Sequence, residues 1–333
     1  MLARLLAGGE GGEEEGKMVV EHVLENYGER QDLAIEWIHQ LYIAEVRRES
    51  SGGGKKGGKE AVLGWEWVLN KLLDGLVEAA RGKVAKKEGV GAEGGVEQQR
   101  YLTRLIAETP CVGEAVIERV TGMCEGDDKA VRGLGLACLR ALVYNHDRWK
   151  WGCLEKLLGY TSSVDETLRA PAIRLVCGKQ FEALKVSKEV EEEAVANLRR
   201  ACRLDERESM QVEGQAPAGL DRPKIHLFLS LCAQKPQLLS KLLEAYLESS
   251  APIRTGIHAT ISDMIRAIGP TSKELREIME ECPAGSEVLI LAFVATLTEG
   301  GAAHPQLVAT IQVTHIPSHL HPQNSRLGPR VIN

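Results

Sequence analysis

Asp128-Lys-Ala-Val131-Arg132 and Asp165-Glu-Thr-Leu168-Arg169 carry one pattern twice, at an offset of 37 residues. An Asp opens each copy, an apolar residue follows three places on, and an Arg comes fourth. The match runs further, because Leu136 and Leu139 align with Ile173 and Val176. Asp at a helix start satisfies amide groups that have no partner within the helix. An Arg one turn later is placed to pair with an acid in the next copy. Ser250-Ala-Pro-Ile253-Arg254 repeats the apolar–Arg pair 85 residues after Arg169. Helical pairs recurring every 37–47 residues or about that spacing belong to helical-repeat arrays, whose members bury their apolar faces only by stacking on neighbours. The predicted fold class is all-α, a HEAT/armadillo-like helical-repeat solenoid. The competing reading is chance recurrence in a helix-rich chain.

Outward from these repeats the apolar spacing stays helical. Leu33, Trp37 and Leu41, with Ile38 and Tyr42, form one stripe, and Val62, Leu69, Leu72, Leu73 and Leu76 form another. Pro110 is expected in the first turn of a helix through Val112, Val116, Ile117 and Val120. Leu238, Leu239, Leu242, Leu243 and Tyr246 follow Pro236, and Ile253, Ile257, Ile261 and Ile265 come next. The pattern predicts about fifteen helices of roughly 10–20 residues joined by short turns, and no alternating strand.

The chain has 333 residues, of which 44% are apolar and 26% charged, so it can bury a core and is not wholly disordered. No apolar run reaches the roughly 20 residues of a membrane span. Aromatics are only 4%, against both large β-sandwiches and base-stacking platforms. A formal net charge of −6 disfavours a phosphate backbone as direct partner. The eight cysteines form no Cys-x-x-Cys pair and mostly sit in apolar periodic segments. They read as reduced, buried thiols of an intracellular protein. The opening Met1–Glu10 is too short and too soon acidic for a signal peptide.

Glycine supplies the punctuation: 15 of the 34 fall in 8–16, 52–58 and 82–95. These patches predict flexible connectors, not core. The resulting organisation is an acidic, Gly-rich segment and lead-in helix at 1–31, then a repeat region at 32–204 with inserts near 50–60 and 82–95. A loop at 205–221, a helical region at 222–311 and an unstructured tail at 312–333 complete it. The inserts, the loop and the tail are expected to be mobile.

Several apparent motifs fail on context. Gly53-Gly-Lys-Lys-Gly-Gly58-Lys59 fits the first part of a phosphate-binding loop, but Glu60 stands where Ser or Thr should hold magnesium. The residues before it, Arg47-Arg48-Glu49, are not a buried strand. His315, His319 and His321 cluster in a proline-broken tail with no Cys within thirty residues, so zinc lacks a scaffold. Nothing in the sequence joins Cys111 to His146 and Asp147 as a thiol–imidazole pair. Lys55, Lys56, Lys83, Lys86 and Lys87 read as solvated linker charge, with nuclear import or RNA contact as alternatives. No catalytic site, metal or cofactor is expected. The residues point to a surface.

The region from Leu227 onward resembles the symplekin family, scaffold proteins of pre-mRNA 3′-end processing. The residues that carry this are Leu227-Phe-Leu-Ser-Leu-Cys-Ala-Gln-Lys-Pro-Gln-Leu-Leu-Ser-Lys-Leu-Leu-Glu-Ala-Tyr246, Ile265-Arg266-Ala-Ile-Gly269-Pro-Thr-Ser272-Lys-Glu274-Leu275 and Glu281-Cys282-Pro283-Ala-Gly285-Ser-Glu287-Val-Leu289. Asp32-Leu-Ala-Ile-Glu-Trp-Ile-His-Gln-Leu-Tyr and the stretch from Thr103 to Val143 are similar less specifically. No counterpart of the family's phosphatase-binding N-terminal domain is expected in these residues, and the helical repeat is expected to stop early, because Gln312 to Asn333 matches nothing.

The resemblance implies a non-catalytic scaffold in the nucleus. It would join subunits of the cleavage and polyadenylation specificity factor, the endonuclease included, to the cleavage stimulation factor. RNA contact would be indirect, with no small-molecule ligand and no membrane. Candidate partner-binding residues are Arg254, Arg266, Lys273 and Glu287, while Asp128, Arg132, Asp165 and Arg169 are repeat positions. Arg254 is open to a second reading as an internal ladder residue. Two rival functions stand beside the scaffold: a HEAT-repeat adaptor in transport or protein turnover, and a direct RNA-binding solenoid.

Overall fold

A computed structural model describes residues 13–50, 64–85, 93–178, 186–203, 219–281 and 283–298. Among these residues there are fifteen α-helices and no strand. They are α1 (Glu13–Glu25), α2 (Tyr27–Ser50), α3 (Trp65–Ala85), α4 (Glu93–Glu108), α5 (Glu114–Glu125), α6 (Lys129–Asn145), α7 (Lys150–Tyr160) and α8 (Glu166–Val176). There follow α9 (Ser187–Ala201), α10 (Arg222–Gln234), a 3₁₀ turn (Pro236–Leu238), α11 (Leu239–Glu248), α12 (Ala251–His258), α13 (Ser262–Ile268), α14 (Lys273–Glu281) and α15 (Glu287–Thr298). The protein is all-α. No described helix is long and apolar enough to cross a membrane.

Most of the Gly-rich insert near 50–60, the loop at 205–221 and the whole tail at 312–333 lie outside the described residues. So do the phosphate-loop-like Gly53–Lys59, the three tail histidines, Lys55, Lys56, Lys86, Lys87 and Cys282. The patch at 82–95 is partly helical, since α3 runs through Ala85 and α4 begins at Glu93. Two compact units divide the chain, Met1–Val190 and Glu191–Asn333, the division falling within α9.

The first unit is organised around α6, which packs against α3, α4, α5, α7 and α8. With neighbours on several sides, α6 buries Val131, Leu134, Leu136, Cys138, Leu139, Leu142 and Val143, more than a single stripe. Gly135 lets α5 come close. A Cβ there would lie 2.8 Å from Cys124 Sγ and 2.9 Å from Met123 Cβ. Trp37, Ile38 and Leu41 of α2 are buried as the periodicity predicts, while Leu33 and Tyr42 are only half-buried. Tyr42 instead meets Trp65 edge to face, with ring centres 5.9 Å apart. Arg104 of α4 reaches Gln31 Oε1 at 2.9 Å and Asp32 Oδ1 at 2.7 Å, tying α4 to α2.

Pro110 does not open a helix. The helix that follows it starts at Glu114, and residues 110–113 form an irregular connector whose Val112 carbonyl accepts the Trp149 indole N–H at 2.7 Å. That side-chain contact holds the connector extended, which periodicity along one segment cannot show.

In the second unit α13 packs against α10 and α15, and α11 against α14. Ile225, Leu227, Phe228, Leu242, Ile257, Ile265, Leu275 and Leu289 are all buried. The turns here need glycine. Gly269 ends α13 at φ 77°, and Gly285 precedes α15 at φ 91°, a left-handed region costly for side chains with a Cβ.

Candidate interaction site

The two repeat copies fold alike. Asp128 is the N-cap of α6, where its carboxylate accepts from the Ala130 amide at 2.9 Å and the Val131 amide at 3.4 Å. Asp165 is the N-cap of α8 and accepts from the Thr167 amide at 2.8 Å. The amides of Arg132 and Arg169 bond back to the Asp128 and Asp165 carbonyls at 2.8 and 2.9 Å, and that of Arg254 to Ser250 at 3.0 Å. All three arginines therefore sit four residues beyond a cap, although Ser250 makes no side-chain cap bond of its own.

Their guanidinium groups then do the same work. Each turns back onto carbonyls that the preceding helix end or turn leaves exposed. Arg132 donates to the Gly126 carbonyl through Nε at 3.2 Å and Nη2 at 2.8 Å. Arg169 donates to Ser163 at 2.7 Å and Val164 at 3.0 Å. Arg254 donates to Tyr246 and Ser249 at 3.0 Å each and to Leu247 at 2.7 Å. Arg132 adds a link to the following copy: its Nη1 lies 2.6 Å from Asp165 Oδ2 and also meets the Thr167 hydroxyl. The Thr167 hydroxyl and amide, with Arg132 behind them, hold the Asp165 carboxyl below its ordinary range. Arg254 pairs with no acid among the described residues. It lies 5.1 Å over the Tyr246 ring, against which His258 also stacks, its Nε2 sharing a 3.0 Å hydrogen bond with the Tyr246 hydroxyl.

These contacts place the four partner-binding candidates differently. Arg254 is half-buried and engaged by backbone, the internal-ladder position that was its second reading. Arg266 and Lys273 are exposed, 3.0 Å from Asp263 and 3.1 Å from Glu277 respectively. Glu287 starts α15 and accepts the Gly285 amide at 3.0 Å. The motif residues around them build turns. Ser272 accepts the Leu275 amide at 3.3 Å and donates to Glu274 at 2.8 Å, while Ser286 donates to the Pro283 carbonyl at 2.6 Å.

The structure does not pair Cys111 with His146. The Cys111 thiol faces the Val112 carbonyl at 3.9 Å, and His146 Nε2 bonds the Ile106 carbonyl at 2.7 Å, which makes Nε2 a donor. Burial pushes the Cys124 thiol up to about 12 and those of Cys153 and Cys177 up to about 11, so none is a thiolate at neutral pH. Among the described residues no cluster of three His, Cys, Asp or Glu could hold a metal ion.

One feature escapes the sequence altogether. A cleft of about 280 Å³ opens in the first unit between α3, α5 and the turn into α6. Asp74, Glu78 and Arg81 line one side, Arg119 and Gly122 the other, and Asp127 and Asp128 the end. Its apolar lining joins Val77 of α3 to Met123 of α5 and Val131 of α6, and α3 is far in sequence from the other two.

Compared with known proteins, the chain matches no family model and no solved structure.

Proposed function

We propose that this protein is a non-catalytic scaffold of the mRNA cleavage and polyadenylation machinery, of the symplekin kind, built as a HEAT/armadillo-like solenoid and working in the nucleus. The observation that carries the architecture is the arginine four residues past a helix cap, which binds the turn before it in three separate places. Units that fold alike and link to the next are what a stacked array requires. The pathway rests on the stretches between Leu227 and Leu289, which lie on α10 to α15. Its partners would be subunits of the cleavage and polyadenylation specificity factor, including the endonuclease, and the cleavage stimulation factor.

Arg266, Lys273 and Glu287 are all exposed, which supports their availability to such partners. Affinity purification of the tagged full chain from nuclear extract, read by mass spectrometry, tests the assignment. Recovery of the endonuclease complex is expected, with a loss on charge reversal of Arg266 and Lys273 at unchanged helical content. Enrichment of transport or degradation factors instead would favour the adaptor reading. A net charge of −6 weighs against the direct RNA-binding solenoid, which requires binding that weakens steeply with salt.

A further inference from the structure

We infer that the cleft between α3 and α5 is a docking site for an extended, Lys- or Arg-bearing segment of a partner protein. Four carboxylates line it, Asp74, Glu78, Asp127 and Asp128, against two guanidiniums, Arg81 and Arg119. Both guanidiniums are already committed to acids. Arg119 pairs with Asp74 and donates through Nε to Asn70 Oδ1 at 3.2 Å. Arg81 pairs with Glu78, and its Nε lies 3.9 Å from Asp128 Oδ2. An anionic ligand would have to displace one of these acids. A cation would not, because the pairs leave carboxylate lone pairs unused and Asp127 is exposed with no partner among the described residues. Charge complementarity therefore selects a basic ligand.

Shape selects a peptide. Val77, Met123 and Val131 are core residues that show the cleft only a narrow apolar edge, 8%, 7% and 3% exposed, along which a Lys or Arg stem can lie while its charged head reaches the acids. Asp74 to Arg81 spans about 10 Å of helix, the length of about three extended residues. At the rim, a Cβ added to Gly122 meets nothing within 4 Å, so the cleft is open to an approaching backbone. This inference is independent of the pathway proposed above.

The probe is a library of random dodecapeptides displayed on phage and selected on the purified full chain. Selected peptides are expected to be enriched in Lys or Arg. As free peptides they should bind at least about tenfold more weakly to Gly122→Arg, which fills the cleft, and to Asp127→Lys, which reverses its charge. Asp147→Lys makes the same charge change at an exposed turn outside the cleft and should leave affinity unchanged. Thermal midpoints identify any variant that is misfolded, and either cleft variant suffices if the other melts early. Asp127→Asn replaces both if needed. A pool without basic enrichment overturns the inference. So does undiminished binding by a cleft variant that melts like the parent, or an equal loss in Asp147→Lys. Purified components alone decide this, whatever nuclear extract yields.

Discussion

Arg132 in the first unit and Arg254 in the second hold the same place relative to a helix cap, yet they are stabilised differently. Arg132 is buried and divides its donors between the Gly126 carbonyl behind it and Asp165 ahead. Arg254 donates to the Tyr246, Leu247 and Ser249 carbonyls behind it and rests its face on the Tyr246 ring. The backbone function is common and the second partner is optional. An arginine at this position first satisfies carbonyls at the preceding helix end. It becomes a link between copies only when the next cap is an acid within reach.

The largest effect should come from Arg132→Met. It keeps an apolar stem but leaves the Gly126 carbonyl without the guanidinium that bonds it twice, at a cost of about 1–3 kcal/mol, and cuts the link to Asp165. Urea unfolding followed by circular dichroism measures it, and a loss under about 1 kcal/mol would break the proposed asymmetry. Arg254→Met should cost less, about 1–2 kcal/mol, since it removes carbonyl bonds and a half-exposed cation–π contact but cuts no link to an acid. If Arg254→Met proved the more damaging, the acid at Asp165 would matter less than the carbonyls.

Gly135→Ala probes the packing that supports the first clamp. Its Cβ would press on Cys124 and Met123, an overpacking cost of about 1–3 kcal/mol, whereas Gly122→Ala on the open side of α5 should stabilise by about 0.5–1 kcal/mol. Opposite signs from two helical glycines would show that α5 and α6 meet at Gly135 and not at Gly122.

The smallest effect is a separation in pH. Burial lowers the His258 pKa from its ordinary 6.5, so the unfolded chain takes up that proton more readily. Stability from this source is full above about pH 6.5 and falls as pH drops through the folded value. Asp165 is also depressed, from the lower carboxylate range, so its contribution is complete above that range and is lost only in stronger acid. The second unit, with the imidazole between Tyr246 and solvent near Arg254, should weaken first on acidification. Thermal midpoints of the wild type and His258→Gln across pH test this: the substitution should flatten the upper step and leave the lower one.

Helix type and the register of the arginines were legible because their causes are local. Asp128 and Asp165 cap amides two or three residues away, and an apolar period needs only its own segment. Pro110 shows where locality fails, because its connector is held by Trp149, which a linear scan does not bring near. Gly269, Ser272 and Glu274, part of a stretch that carries the family resemblance, form a turn and a helix start, which the sequence motif does not reveal.

The sequence by itself determined an all-helical chain, the caps that start α6 and α8, and the equivalence of Arg132 with Arg169. Only the tertiary structure decided what each arginine holds, that Arg254 faces inward, and that Asp74, Arg119 and Asp127 share one cleft. The physical reason is range. A cap is satisfied within one helical turn, so a pentapeptide specifies it. A cleft exists only where helices pack, and the Asp74–Arg119 pair joins residues 45 apart that no periodicity connects.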